Sequence, residues 1–113
     1  MNELFETMKT YVKMDDEIST PEFVDYFQKV METLQKDFDG MDQETLLQSK
    51  LITTIMAGNS ASRKSRRDAD MKKYKKINEK CVFWANAIEF RLKQMGMTPA
   101  QIEEKINEME AAM

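Results

Sequence analysis

RRDADMKKYKKINEKCVFWANAIEFRLKQM, at residues 66–95, is the stretch that decides the fold of this chain. Because it contains neither proline nor glycine, nothing in it interrupts a helix, and it predicts one long helix over its whole length. Its first half is strongly cationic. Its second half is the most apolar and aromatic segment of the protein. We therefore expect the first half to meet anions and the second half to be buried.

The apolar residues of this helix fall on two sides. Phe83, Ala87 and Phe90 form one stripe, and a helix that is apolar on two sides either lies in the centre of its bundle or meets a second copy. The other stripe has the spacing of a coiled-coil seam and includes Tyr74, Ile77, Cys81, Trp84, Ile88 and Met95, with Arg91 or Leu92 in the remaining position.

Asn86 is a polar residue in an otherwise apolar turn. Its amide has to be exposed or hydrogen-bonded, and one polar side chain on a buried seam often fixes the register or the number of subunits. The predicted seam for core packing or subunit contact consists of Ile77, Cys81, Trp84, Asn86, Ile88 and Arg91.

Helical patterns also occupy the rest of the chain. Residues 3–14 predict a first helix capped by Asn2, and Ser19 with Pro21 starts a second helix, which we expect to end at a left-handed Gly40. Asp42 caps a predicted third helix that closes at Gly58 and Asn59. A flexible basic loop is predicted over 57–65, and a peripheral helix with an N-terminal capping box over 98–113.

No strand pattern occurs anywhere in the sequence. We expect an all-α bundle of four or five helices, organised around the long helix at 66–95, in one domain spanning 1–113.

Composition excludes several kinds of active site. The chain has no histidine and one cysteine, which rules out a Cys/His zinc site, a Ser-His-Asp triad and a histidine general base. Cys81 is expected to be a buried small hydrophobe. We predict a protein that is not an enzyme and needs no metal or cofactor. An enzyme using carboxylate-bound metal remains a third alternative.

The sequence has neither an apolar run of about 18 residues nor the pattern of a signal peptide at residues 1–17. The expectation is a cytoplasmic protein without membrane contact, in the host cytosol if a phage encodes it.

The formal net charge of −3 conceals a basic block. Residues 63–76 contain eight Lys and Arg against two Asp, whereas residues 1–62 contain five basic and twelve acidic residues. Clustered cations suit phosphates, since arginine offers a planar fork and lysine a point charge. The predicted ligand residues are Arg63, Lys64, Arg66, Arg67, Lys73 and Lys76, with Tyr74 as the nearby aromatic. The alternative is a solvated helix end whose cations pair with neighbouring acids.

Residues 79–91, EKCVFWANAIEFR, resemble the C-terminal helix of phage helical-hairpin proteins of the anti-CBASS and anti-Thoeris type, which sequester cyclic nucleotides. The resemblance implies all-helical packing, oligomers built through this helix, and a cyclic nucleotide held by basic and aromatic residues at subunit junctions. The arginine that the family has near the start of this helix is replaced here by Ala69. The matching positions are Glu79, Val82, Trp84, Ala85, Asn86, Ala87 and Arg91.

Two functions remain open at this point. The first is a non-enzymatic anti-defence protein of a phage or mobile element that forms a homo-oligomer through the long helix. It would sequester an anionic, phosphate-bearing ligand, for example a cyclic nucleotide, with its basic segment. The alternative is a helical adaptor or inhibitor that binds nucleic acid, or a protein with an acidic patch, through residues 63–76.

Overall fold

The computed structural model describes residues 1–65 and 69–113 of the chain. This part consists of helices and turns and contains no β-strand, so the all-α prediction is confirmed. Its elements, in chain order, are α1 (Asn2–Val12), α2 (Thr20–Asp37), a 3-10 turn (Phe38–Gly40), α3 (Gln43–Lys64), α4 (Met71–Gln94) and α5 (Pro99–Ala111).

Three helix starts follow the predicted caps. The Ser19 hydroxyl accepts a hydrogen bond from the backbone N–H of Glu22 at 3.3 Å, and the Asp42 carboxylate accepts one from that of Thr45 at 2.8 Å. Thr98 forms a reciprocal capping box with Gln101. These contacts satisfy backbone donors that the helix cannot pair itself.

Two local predictions near the first helices are wrong. Asn2 is the first residue of α1 and not its cap, and its amide oxygen instead accepts a hydrogen bond from Gln48 at 3.2 Å. Gly40 is not left-handed; the chain leaves α2 through the 3-10 turn. The glycine that does take a left-handed conformation is Gly96, with φ of 97°, after α4.

The predicted loop at 57–65 is also wrong, because α3 continues through Gly58 to Lys64. Contacts from outside the segment hold it helical. Asn78 on α4 donates its side-chain amide to the carbonyl oxygen of Ala57 at 2.8 Å, and Ser60 is fully buried. Tertiary packing therefore outweighs the low helix propensity of Gly58.

The long helix is shorter than predicted. α4 begins at Met71, since Ala69 and Asp70 form a turn, and it ends at Gln94. Arg66 and Arg67, together with residue 68, lie outside the described residues.

α3 and α4 form an antiparallel pair. Hydrogen bonds between them include those from Lys50 to the carbonyl of Ala85 and from Arg63 to Tyr74, so partners run in opposite directions along the two helices. With 22 and 24 residues the two helices are nearly equal, and the fold is organised around this pair rather than around one helix.

The core is formed by the facing sides of α1, α2, α3 and α4. Of the α4 residues with coiled-coil spacing, Tyr74, Ile77, Cys81 and Ile88 are buried, whereas Trp84 is half-buried and Met95 is exposed. Leu92, and not Arg91, is the buried residue between Ile88 and Met95. α2 contacts α4 through Phe23 and Tyr74, and α5 adds Ile102, its one buried residue among those described. The buried residues of α4 are Tyr74, Ile77, Cys81, Ala85, Ile88 and Leu92.

Candidate anion-binding and assembly surfaces

Arg63 is the best-connected cation among the described residues. Its guanidinium donates to the phenolic oxygen of Tyr74 at 2.8 Å and to the carbonyl oxygen of Ile18 at 2.9 Å, and it lies 4.6 Å from the centre of the Phe23 ring. A Glu17 carboxylate oxygen is 3.8 Å from its Nε. This one side chain therefore ties the α1–α2 loop, α2, α3 and α4 together.

Tyr74 completes the same network. Its hydroxyl also lies 2.7 Å from the hydroxyl of Thr20, and its ring meets Phe23 edge to face. Both Arg63 and Tyr74 are buried. The structure thus places two of the predicted ligand residues inside the protein, where their polar atoms already have partners, and their role toward a ligand stays a prediction.

Among the described residues of the predicted basic block, the exposed cations lie on the first two turns of α4. Lys72, Lys73, Lys75 and Lys76 are all exposed. Lys73 lies 3.7 Å from the Asp70 carboxylate, yet two thirds of its side chain remains accessible. Within residues 1–65 and 69–113 the other three form no ion pair. We call these four residues the lysine cluster. Within residues 1–65 and 69–113 they are the exposed part of the predicted basic block, and Lys64 at the end of α3 is half-buried.

Two of the cavities lined by the described residues lie near this end of the protein, and carboxylates line both of them. One of about 440 Å³ between α2 and the start of α4 is lined by Lys73 but also by the carboxylates of Asp25 and Asp70. The other, of about 370 Å³, lies under the α1–α2 loop and includes Asp15 and Asp16. Like-charge repulsion disfavours phosphate in both cavities.

The six residues of the predicted seam do not share one surface. Ile77, Cys81 and Ile88 are buried within the protomer. Trp84 is half-buried and packs edge to face on Phe38 of the 3-10 turn, with ring centres 5.4 Å apart.

The other two seam residues point elsewhere. Arg91 donates to the carbonyl oxygen of Asp39 at 3.3 Å, while its Nε is buried and finds no partner among the described residues. Asn86 is exposed. It lies on the opposite side of α4 from Cys81.

The side of α4 that faces solvent is apolar at its centre. Phe83 is 66% exposed and Phe90 63% exposed, which is unusual for two phenylalanines on one helix, and Val82 is 44% exposed beside them. We call Glu79, Phe83, Asn86, Phe90 and Lys93, all of which are exposed, the outer stripe. Sequence reasoning identifies Phe83 and Phe90 as a second apolar side but does not join them to Asn86. The sequence pattern that joins them is the spacing of residues 79, 83, 86, 90 and 93, which are alternately four and three residues apart and so lie on one face of a helix.

Cys81 is shielded from solvent between α3 and α4. Burial raises the pKa of its thiol from 9.0 to about 12, because the thiolate would lose its hydration. The protonated thiol is therefore the form present near neutral pH, and a protonated thiol is a poor nucleophile.

No helix in the described ranges is both long enough and apolar enough to cross a membrane. Among the same residues, no three Cys, Asp or Glu side chains gather closely enough to hold a metal ion. Comparison with protein-family models, curated protein sequences and solved structures finds no match for the chain. The resemblance of residues 79–91 to the cyclic-nucleotide sponges therefore stays a prediction.

Proposed function

We propose that this protein is a non-enzymatic binding protein that assembles through α4 and holds an anionic, phosphate-bearing ligand on its lysine cluster. The observation that carries this proposal is the division of the exposed side of α4. Its first two turns present four lysines, and the following turns present the outer stripe. One helix thus offers a cationic surface and an apolar surface next to each other.

Phosphate is the ligand chemistry that fits the lysine cluster best. Lysine ammonium groups bind phosphate as point charges and do not need a shaped pocket. The rest of the surface is mainly acidic, so an anion is attracted chiefly to this end of the molecule. A cyclic di- or trinucleotide, with two or three phosphates on a compact ring, is the ligand that we propose, and sequestration of such a signal by a phage protein is the role that it suggests.

The test is a thermal-shift titration with cyclic di- and trinucleotides at micromolar concentration. A saturable rise in Tm is expected, and ligand recovered after denaturation should be chemically intact. The variant K72Q/K75Q/K76Q should lose the shift. The matched control K29Q/K36Q/K105Q removes the same charge from exposed positions elsewhere and should keep it. Absence of a shift in the wild type, or equal loss in both variants, would contradict the proposal.

Nucleic acid is a second candidate, favoured by the arrangement of the lysines along the helix axis rather than around a pocket. Each phosphate neutralised on a nucleic acid releases counterions, so binding of an oligonucleotide should weaken steeply with salt. If a 20-nucleotide strand binds more tightly than the cyclic nucleotides, and its affinity falls about a hundredfold or more between 50 and 200 mM salt, this second function replaces the first.

A further inference from the structure

We infer that the outer stripe is the contact surface for a second copy of this chain, and that the two α4 helices pair antiparallel about a two-fold axis at Asn86. This inference rests on the proposed assembly through α4 and names its face, its partner and its orientation. It departs from the predicted seam, because most of that seam is used inside the protomer.

The outer stripe lies directly opposite the buried face of α4. Residues 74, 77, 81, 85, 88 and 92 point into the core, and residues 79, 83, 86, 90 and 93 point away from it. At 100° per residue the two sets are centred about half a turn apart. The inner face is therefore fully used within the protomer, and the outer stripe is available to a partner.

The sequence positions on the outer stripe are self-complementary. Glu79 lies seven residues before Asn86 and Lys93 lies seven residues after it. An antiparallel pair centred on Asn86 therefore brings each Glu79 opposite Lys93 of the second copy. Phe83 and Phe90, three residues before and four after the centre, also face each other across the pair. Each end of the contact then pairs a glutamate with a lysine, and the phenylalanine rings lie between the two ends.

The other arrangements of two α4 helices are less favourable. A parallel pair in register sets Glu79 against Glu79 and Lys93 against Lys93, which is repulsive at both ends. An antiparallel pair shifted by one layer sets Phe90 against Glu79 or Phe83 against Lys93, so that an aromatic ring covers a charge. Charge complementarity thus selects the antiparallel pair centred on Asn86.

The side chains of Asn86 and Lys93 can form the polar contacts that this pairing requires. Two asparagine amides that meet on a two-fold axis can each donate to and accept from the other, which satisfies a polar pair at a contact centre. Lys93 lies 3.7 Å from Glu89 on its own helix and remains 45% exposed. It can therefore turn its ammonium group toward Glu79 of the second copy without unfolding any element.

This pairing separates the two lysine clusters. In an antiparallel pair centred at residue 86, residue 74 of each copy lies twelve residues from the centre, on opposite sides of it. At 1.5 Å per residue the two clusters are roughly 36 Å apart along the pair. One small phosphate-bearing ligand cannot bridge them, so each copy binds its own ligand.

Cysteine crosslinking of the full chain tests the orientation. The positions 79, 86 and 93 are exposed, so substitution there should leave the protomer folded, and the buried native Cys81 serves as an internal negative control. Under mild oxidation N86C should crosslink. E79C and K93C should not crosslink singly, because their equivalents lie roughly 21 Å apart along the pair, but E79C/K93C should. Crosslinking of single E79C, or of none of the variants, would overturn the inference.

Charge reversal tests the same contact without crosslinking. E79K and K93E should each weaken self-association about tenfold, since each creates two like-charge contacts per dimer, and E79K/K93E should return to within about threefold of the wild type. A parallel pair predicts no such rescue. Sedimentation velocity reads out assembly, whereas the thermal shift reads out ligand binding. A monomer that still binds nucleotide would overturn both this inference and the proposed assembly. A dimer whose self-association neither charge reversal weakens would overturn this inference alone, and a dimer that binds no nucleotide would contradict the proposed ligand alone.

Discussion

The guanidinium of Arg63 donates to the phenolic oxygen of Tyr74 at 2.8 Å and so joins the last turn of α3 to the first turn of α4. Because both residues are buried, this contact holds the start of α4, and with it the lysine cluster, in place against the rest of the protein. Charge clustering in the sequence places Arg63 in the basic block. In the structure Arg63 is a buried residue whose contacts support the surface that carries the lysine cluster.

Arg63→Ala should therefore act on stability. The change leaves Tyr74 and the Ile18 carbonyl without their shared donor, and we expect a loss of about 2–4 kcal/mol in the free energy of unfolding. Lys64→Ala, at the neighbouring half-buried position, should cost less than about 0.5 kcal/mol. Urea denaturation followed by circular dichroism measures both. Equal effects of the two changes would show that the buried network contributes little.

Two glycines should respond to alanine in opposite directions. Gly58 lies inside α3 with open space where the β-carbon of an alanine would stand, so Gly58→Ala should raise the free energy of unfolding by about 0.5–1 kcal/mol. Gly96 has a φ of 97°, where a β-carbon is strained, so Gly96→Ala should lower it by about 1 kcal/mol. Thermal or urea unfolding gives both values. A Gly58→Ala change that destabilises would contradict the helical course of α3 through residue 58.

The buried thiol of Cys81 makes stability fall at high pH. The unfolded chain loses this proton near pH 9, whereas the folded chain keeps it to about pH 12. Between these values the unfolded state binds fewer protons, so the free energy of unfolding decreases as pH rises, by up to about 1.4 kcal/mol per pH unit from this group. Burial also raises the pKa of Tyr26, and this further lowers the free energy of unfolding at high pH.

Urea midpoints at pH 7, 8, 9 and 10 measure this dependence. The midpoint should be nearly constant to about pH 8.5 and then decline, and Cys81→Ala should make the decline between pH 9 and 10 shallower. A thiol reagent at pH 8 should label Cys81 only after denaturant is added. Rapid labelling of the folded chain would contradict the burial of this residue.

Local signals in the sequence predict much of the fold. Ser19, Asp42 and Thr98 are recognisable as helix caps because the residues that they bond lie three positions away and are visible in the sequence. The inner face of α4 is predictable for a similar reason, since helical spacing brings Ile77, Cys81 and Ile88 to one side.

The features that the sequence does not predict depend on contacts between distant parts of the chain. Local propensity predicts a helix end at Gly58, but the amide of Asn78 on α4 stabilises the helix around it. Charge clustering does not reveal that Arg63 is buried, because its contacts with Ile18 and Tyr74 join residues that sequence spacing does not connect. Phe83 and Phe90 are recognisable as a separate apolar stripe, but only the structure shows that the protomer leaves them exposed.

Native mass spectrometry of the full chain, with and without a cyclic nucleotide, tests assembly and ligand binding in one measurement. We predict a dimer of twice 13.3 kDa that carries two intact ligand molecules, one on each lysine cluster. A chain that remains a monomer of 13.3 kDa and carries no ligand at micromolar nucleotide would contradict both proposals.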